Sequence, residues 1–152
     1  MSSFDYIKVF SKTLIIAEEN DLISNISLAP TIVEPSPSKI TKFFKNEILN
    51  FLKTGELNSQ MLFEMCDHKK LTPFQKIVFS KLIQLNNKDI TTYKKLSLQC
   101  FNSPNYARSI GQTLNKNPFL IIVPCHKVLS EKKTGGYVLG LDFKQKLIKL
   151  SS

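Results

Sequence analysis

Residues 117–128 read NPFLIIVPCHKV. An Asn-Pro pair stops whatever precedes it, five apolar residues follow, and Pro124 then breaks regular backbone pairing just before Cys125 and His126. The apolar run predicts a buried extended segment leading into the thiol. A thiol becomes nucleophilic when a cationic or hydrogen-bonding neighbour lowers its pKa. Sequence adjacency does not put the His126 ring on sulfur. Local chemistry alone favours a core thiol over a nucleophile at Cys125 and leaves the question undecided.

Upstream, the pattern is helical. TPFQKIVFSKLIQL (72–85) has Thr72 as N-cap and Pro73 at the first helical position, and it places Phe74, Ile77, Val78, Leu82 and Leu85 on one face before a turn at Asn86 and Asn87. TTYKKLSLQC (91–100) and SPNYARSIGQTLNKNP (103–118) read as two short helices joined by a tight turn at Phe101 and Asn102. Ser103 caps the second, and Ala107, Ile110, Gly111 and Leu114 form a face suited to close approach. This is a helix-turn-helix outline, which helical hairpins in protein cores share.

Further upstream, residues 4–33 are short Phe/Ile/Val/Leu runs broken at Ser-Lys and Glu-Glu-Asn-Asp, predicting two or three strands of a small antiparallel sheet. After the breaker EPSPS (34–38), SKITKFFKNEILNFLKTG predicts one amphipathic helix with Ile40, Phe43, Phe44, Ile48, Phe51 and Leu52 on the buried face, ending before Gly55. Residues 56–72 have weak periodicity and are expected to connect two lobes, divided as 1–70 and 71–152.

Composition supplies the partner class. The chain of 152 residues is 42% hydrophobic, enough for a sizeable core, and carries 21 Lys+Arg against 12 Asp+Glu, a formal charge of +9. That excess favours a polyanion such as nucleic acid through counterion release. Cys66, Cys100 and Cys125 are odd in number and far apart, so neither a disulfide framework nor a zinc ribbon is expected, and a reducing intracellular compartment is. Cys66 and His68 form only an isolated pair. The N-terminal stretch predicts neither signal peptide nor membrane span.

The longer string NPFLIIVPCHKVLSEKKTGGYVLGLDFKQKLI resembles the active-site segment of the O6-alkylguanine-DNA alkyltransferases, with Asn117-Pro118, Pro124-Cys125-His126-Lys127-Val128, a Gly135-Gly136-Tyr137 loop and a final helix. The likeness runs upstream through YARSIG, TTY and FQKIVFSKLIQL, covering roughly residues 72 to 150. The resemblance implies a ribonuclease H-like α/β N-terminal lobe (small sheet plus helix) on a mostly α C-terminal lobe containing the helix-turn-helix. It also implies a DNA-repair methyltransferase that acts as a cytoplasmic (or, in a eukaryote, nuclear) monomer and needs no cofactor or metal. Double-stranded DNA bearing O6-alkylguanine, and by extension O4-alkylthymine, would be bound through the minor groove, and the flipped base would lose its alkyl group irreversibly to Cys125. A thiolate is a strong nucleophile towards an sp3 carbon, and extrusion is needed because the target atom otherwise lies inside the stack.

By the same resemblance His126 is the base acting through water, Asn117 a hinge, and Tyr93 the residue that helps rotate the 3′ phosphate and donates to the departing guanine. Arg108 fills the space left by the flipped base. Ala107, Gly111 and Ser103 belong to the DNA-binding helix, and Leu114, Val128, Tyr137 and Val138 line the pocket. Sequence preference should be slight, because the minor groove offers a degenerate code.

Three departures carry consequences. Lys127 replaces an arginine and loses its planar fork. Asn86 and Lys88 stand where the family often has proline and glycine. Ser151 occupies the place of a glutamate that orients the histidine, so Cys125 is expected to be less activated, with the Ser152 carboxylate, Asp142 or Glu131 as substitute partners for His126.

Overall fold

A computed structural model describes residues 2–130 and 137–151. The pair Gly135-Gly136, Glu131 and Ser152 lie outside them. Three strands, β1 (Ser2–Val9), β2 (Lys12–Glu19) and β3 (Leu22–Leu28), form an antiparallel meander in the order β1-β2-β3. Their register pairs Tyr6 with Ile15 and Ile16 with Ile26, so Ile7, Val9, Leu14, Ile16, Ile23 and Ile26 are all buried. The second turn is a two-residue hairpin loop, with Asn20 and Asp21 at φ 53° and 69°, a conformation Asn and Asp tolerate well.

Helix α1 (Lys39–Thr54) packs on β1 and β2, held at its start by a Ser38/Thr41 capping box and stopped by Gly55 at φ 76°. Its buried face is Thr41, Phe44, Ile48 and Phe51. The expected Phe43 is 39% exposed, because the helix is rolled so that the smaller Thr41 meets the sheet. Residues 56–72 are more ordered than their periodicity suggested. Asn58 caps a short helix α2 (Ser59–Glu64), whose Leu62 and Phe63 are buried.

The C-terminal part is largely helical. Helix α3 (Pro73–Leu82) has the expected Thr72 cap and Pro73, but it ends before the predicted turn and buries Val78, Phe79 and Leu82, leaving Ile77 46% exposed. A two-residue strand β4 (Thr91–Thr92) leads into α4 (Tyr93–Phe101), with Thr92 as N-cap and Asn102 in the left-handed region at φ 55°. Ser103 caps not a full helix but a 3-10 turn, Pro104–Tyr106, after which α5 (Ala107–Leu114) begins. Strand β5 (Val128–Leu129) pairs in parallel with β4, and α6 (Leu141–Leu150) closes the fold. Among the described residues no helix is long and apolar enough to cross a membrane.

The outer edge of β3 joins the two halves. Ile23 exchanges backbone hydrogen bonds with Met65 and Asp67 (2.9 and 2.8 Å), and Ile26 with Pro118 and Leu120 (2.7 and 3.1 Å). An otherwise open sheet edge is thereby covered by the end of α2 and by the segment entering the Cys125 region. One hydrophobic core runs continuously through both halves.

Candidate active site

The run Phe119–Val123 is buried as expected, but it is not extended. It bends back at Ile121, φ 73°, and Val123 N–H donates to Phe119 O at 3.0 Å. A β-branched residue in the left-handed region costs about 1–3 kcal/mol and persists only where its surroundings impose it. Here the β3 edge holds one side of the bend through Leu120. Next, Pro124 at φ −81°, ψ 61° and the 2.8 Å bond from Cys125 N–H to Val123 O make an inverse γ-turn. A single 3-10 turn, Cys125–Lys127, then carries the thiol and the imidazole.

Asn117 ties these turns together. Its Nδ2 donates to Val123 O at 3.0 Å and to Cys125 Sγ at 3.3 Å, while its Oδ1 accepts from Phe119 N–H at 2.9 Å. Both functions of the amide are used, and the residue is buried.

Cys125 is 3% exposed. Burial pushes its thiol up to about 11, against the opposing effects of the Asn117 hydrogen bond, the Lys144 charge and the nearby Tyr137 hydroxyl. The thiol is therefore protonated at neutral pH. The Tyr137 hydroxyl is buried beside the sulfur without a well-formed hydrogen bond among the described residues, and burial followed by the proximity of Cys125 raises its own pKa.

His126 is buried with neither ring nitrogen hydrogen-bonded among the described residues, and its ring lies 6.3 Å from that of Phe51 on α1. Burial, with the charges of Lys127 and Lys144 added, pushes it down to about 3, so it is neutral. Of the expected substitutes for the glutamate, the Ser152 carboxylate and Glu131 lie outside the described residues, and the third, Asp142, is engaged elsewhere. Ser151 Oγ donates instead to Gly55 O at 2.6 Å, and Asp142 is a solvent-facing residue paired with Lys146 at 3.4 Å.

Lys127 points away from the thiol. Its Nζ donates to Asn86 O at 2.9 Å, tying the Cys125 turn to the α3–β4 connection, a backbone acceptor for which one ammonium suffices. The β4–β5 pairing (Thr91 with Val128, Thr92 with Leu129) sets Tyr93 beside the site. The Tyr93 ring lies between α5 and α6. A Cβ added at Gly111 would sit 3.7 Å from its Cε1, and Lys144 Nζ is 5.8 Å from its centroid.

Cys125, His126, Asn117, Tyr93 and Tyr137 are thus gathered around one turn. Leu114 and Val128 are buried, whereas Val138 is 49% exposed. Arg108 is exposed on α5, with Ala107 and Ser103 half-buried at its start. Gly111 turns inward to Tyr93 rather than outward.

Lys144 was missed from the sequence. It is fully buried, and its Nζ donates to Val128 O at 2.5 Å. The available signal was its phase, because in LDFKQKLIKL it lies on the apolar side with Phe143 and Leu147.

Residues 73–152, more than half of the chain, match the family model described as 6-O-methylguanine DNA methyltransferase, DNA binding domain. The chain belongs to this family. A methylated-DNA--protein-cysteine methyltransferase of Sulfurisphaera tokodaii is 37% identical over 89 residues, 59% of this chain and 55% of that one. The protein of the same name from Saccharolobus solfataricus is 37% identical over 81 residues, 53% of this chain and 52% of that one. The chain spans about half the length of the curated relatives it matches. Among solved structures, Mycobacterium tuberculosis OGT in complex with DNA has a TM-score of 0.76 at 26% identity, covering 97% of this chain and 92% of that one. The O6-methylguanine-DNA methyltransferase of Pyrococcus kodakaraensis, at 22% identity, shares the fold with a TM-score of 0.75 over 100% and 99% of the two chains.

Proposed function

We propose that this protein repairs O6-alkylguanine, and O4-alkylthymine, in double-stranded DNA by moving the alkyl group irreversibly to Cys125. The observation that carries the reading is the Asn117 amide gripping both Cys125 Sγ and the turn that presents it, inside the segment matching the family. In the reaction, the sulfur's proton passes through water to the neutral imidazole of His126. The sulfur electron pair then forms the S–C bond as the C–O bond breaks and its electron pair stays on guanine, which takes a proton from Tyr93; the proton held by His126 returns to Tyr93 through solvent.

The pair α4 and α5 acts as the helix-turn-helix and enters the minor groove, with exposed Arg108 filling the gap left by the extruded base. Ser103 and Ala107 lie at the start of that unit, while Gly111 faces the Tyr93 ring from within. The DNA-bound relative and the charge of +9 support DNA as partner. Leu114, Val128, Tyr137 and Val138 line the pocket. The sheet and α1 form a ribonuclease H-like support lobe, 1–70, for the reactive lobe, 71–152, and the protein works as a cytoplasmic monomer.

Intact-mass measurement after incubation with DNA containing O6-methylguanine tests this. A gain of one methyl group that vanishes in Cys125→Ser is expected. Lesion binding without mass gain would instead make the protein a non-catalytic lesion binder, and no lesion preference would sink the DNA-repair reading.

A further inference from the structure

Phe10 stands where a hairpin asks for glycine. Phe10 and Ser11 alone join β1 to β2 across the Val9–Lys12 pair, and of the two only Phe10 has a positive φ, 55°. The first central position of such a loop favours glycine, and a bulky side chain there is strained. The second hairpin meets the same demand with Asn20 and Asp21, which tolerate the conformation.

The Phe10 ring is used across the lobe boundary. It meets the Phe143 ring of α6 edge-on, with centroids 5.4 Å apart at 77°, and Lys146 Nζ lies 5.6 Å from its centroid. Phe143 is buried and also stacks on Tyr137, with centroids 6.3 Å apart at 21°. The next residue of α6, Lys144, holds Val128 O at the end of the Cys125 turn. The tip of the sheet therefore touches the helical turn that supports both Tyr137 and the strand leaving Cys125. The Tyr137 hydroxyl is buried with no well-formed hydrogen bond among the described residues, so ring packing sets where the side chain lies.

We propose that Phe10 is a positioning residue for alkyl transfer: the β1–β2 hairpin holds Phe143, and Phe143 holds the Tyr137 ring as a wall of the base pocket. The proposal rests on the reading of Tyr137 as part of that pocket. It gives the N-terminal sheet a task in the reaction, because a displaced wall lets the base drift from the geometry that in-line attack requires.

Phe10→Gly tests this without straining the turn, since glycine adopts φ 55° freely. Single-turnover reaction with free O6-benzylguanine, which takes DNA binding out of the measurement, should slow about three- to tenfold. Phe10→Tyr keeps the ring and should stay within about twofold of wild type, whereas Phe10→Leu should remain slow. In a Tyr137→Ala background, Phe10→Gly should cost less than about twofold more, because the ring it acts through is already gone. In protein labelled with 3-fluorotyrosine, the fluorine-19 resonance identified by Tyr137→Phe should shift or broaden in Phe10→Gly.

If Phe10→Gly does not fold, Phe10→Leu carries the same measurements with the same directions expected. A wild-type rate and an unmoved Tyr137 resonance in a folded variant overturn the proposal, whatever happens to the unfolding midpoint. Equal rate losses with and without the Tyr137 ring overturn it as well. A wild-type protein that accepts no alkyl group defeats the alkyl-transfer reading and the proposal with it, while a reactive protein with an unmoved resonance defeats the proposal alone.

Discussion

Ser151 Oγ donates a 2.6 Å hydrogen bond to Gly55 O, joining the end of α6 to the C-cap of α1. Gly55 is irreplaceable there for two reasons. Its φ is 76°, and a Cβ would lie 1.9 Å from Leu150 O. Gly55→Ala should therefore lose about 3 kcal/mol or more of stability, seen as a lowered urea midpoint. Ser151→Ala leaves the carbonyl without its donor and should cost about 1–2 kcal/mol. A Ser151→Ala midpoint equal to wild type would mean the hydrogen bond contributes nothing.

Asn117→Leu keeps the volume but leaves Val123 O and Phe119 N–H without their partner, both in a buried segment. A loss of about 2–4 kcal/mol is expected, again from denaturant unfolding. The same variant should raise the Cys125 pKa, because the Asn117 donor is the largest influence holding it down against burial. A destabilised variant with an unmoved thiolate titration would assign Asn117 to structure alone.

His126 makes stability depend on acid. Its pKa falls from 6.5 in the unfolded chain to about 3 in the native one, so between those values the unfolded chain binds more protons. Stability is complete above about pH 6.5 and drains as pH falls towards about 3, by at most roughly 5 kcal/mol from this group. His126→Phe should flatten that slope in unfolding midpoints measured across the window. Parallel slopes for the two proteins would contradict the buried neutral imidazole.

Arg108 is exposed on α5, so Arg108→Ala should change stability by less than about 0.5 kcal/mol. Methyl transfer from duplex DNA should slow about tenfold through impaired extrusion, since unstacking costs a few kcal/mol. Reaction with free O6-benzylguanine, which needs no extrusion, should stay near wild type. Equal loss in both assays would remove Arg108 from the extrusion step.

What was legible in the sequence was local. The cap at Thr72, the glycine stop at Gly55 and the β runs are set by side chains acting within four residues of themselves, so pattern alone places them, whereas the caps at Ser38 and Thr92 emerged only in the structure. The resemblance around Pro124-Cys125-His126 likewise put Asn117, Tyr93, Arg108 and Tyr137 in register before any coordinates.

Long-range contacts decided the rest. Periodicity placed Phe43 and Ile77 inside, but the roll of each helix is chosen by its neighbours, which took Thr41 and Phe79 instead. An apolar run reads as a strand, yet Phe119–Val123 turns at Ile121 because the β3 edge and Asn117 impose the bend. The glutamate position looked like a missing partner for His126, and the tertiary structure gave Ser151 a different one, Gly55, 96 residues away. Lys144 belongs to the same class: only packing against Val128 and Tyr93 turns an ordinary helical lysine into a buried one that holds the strand leaving the Cys125 turn.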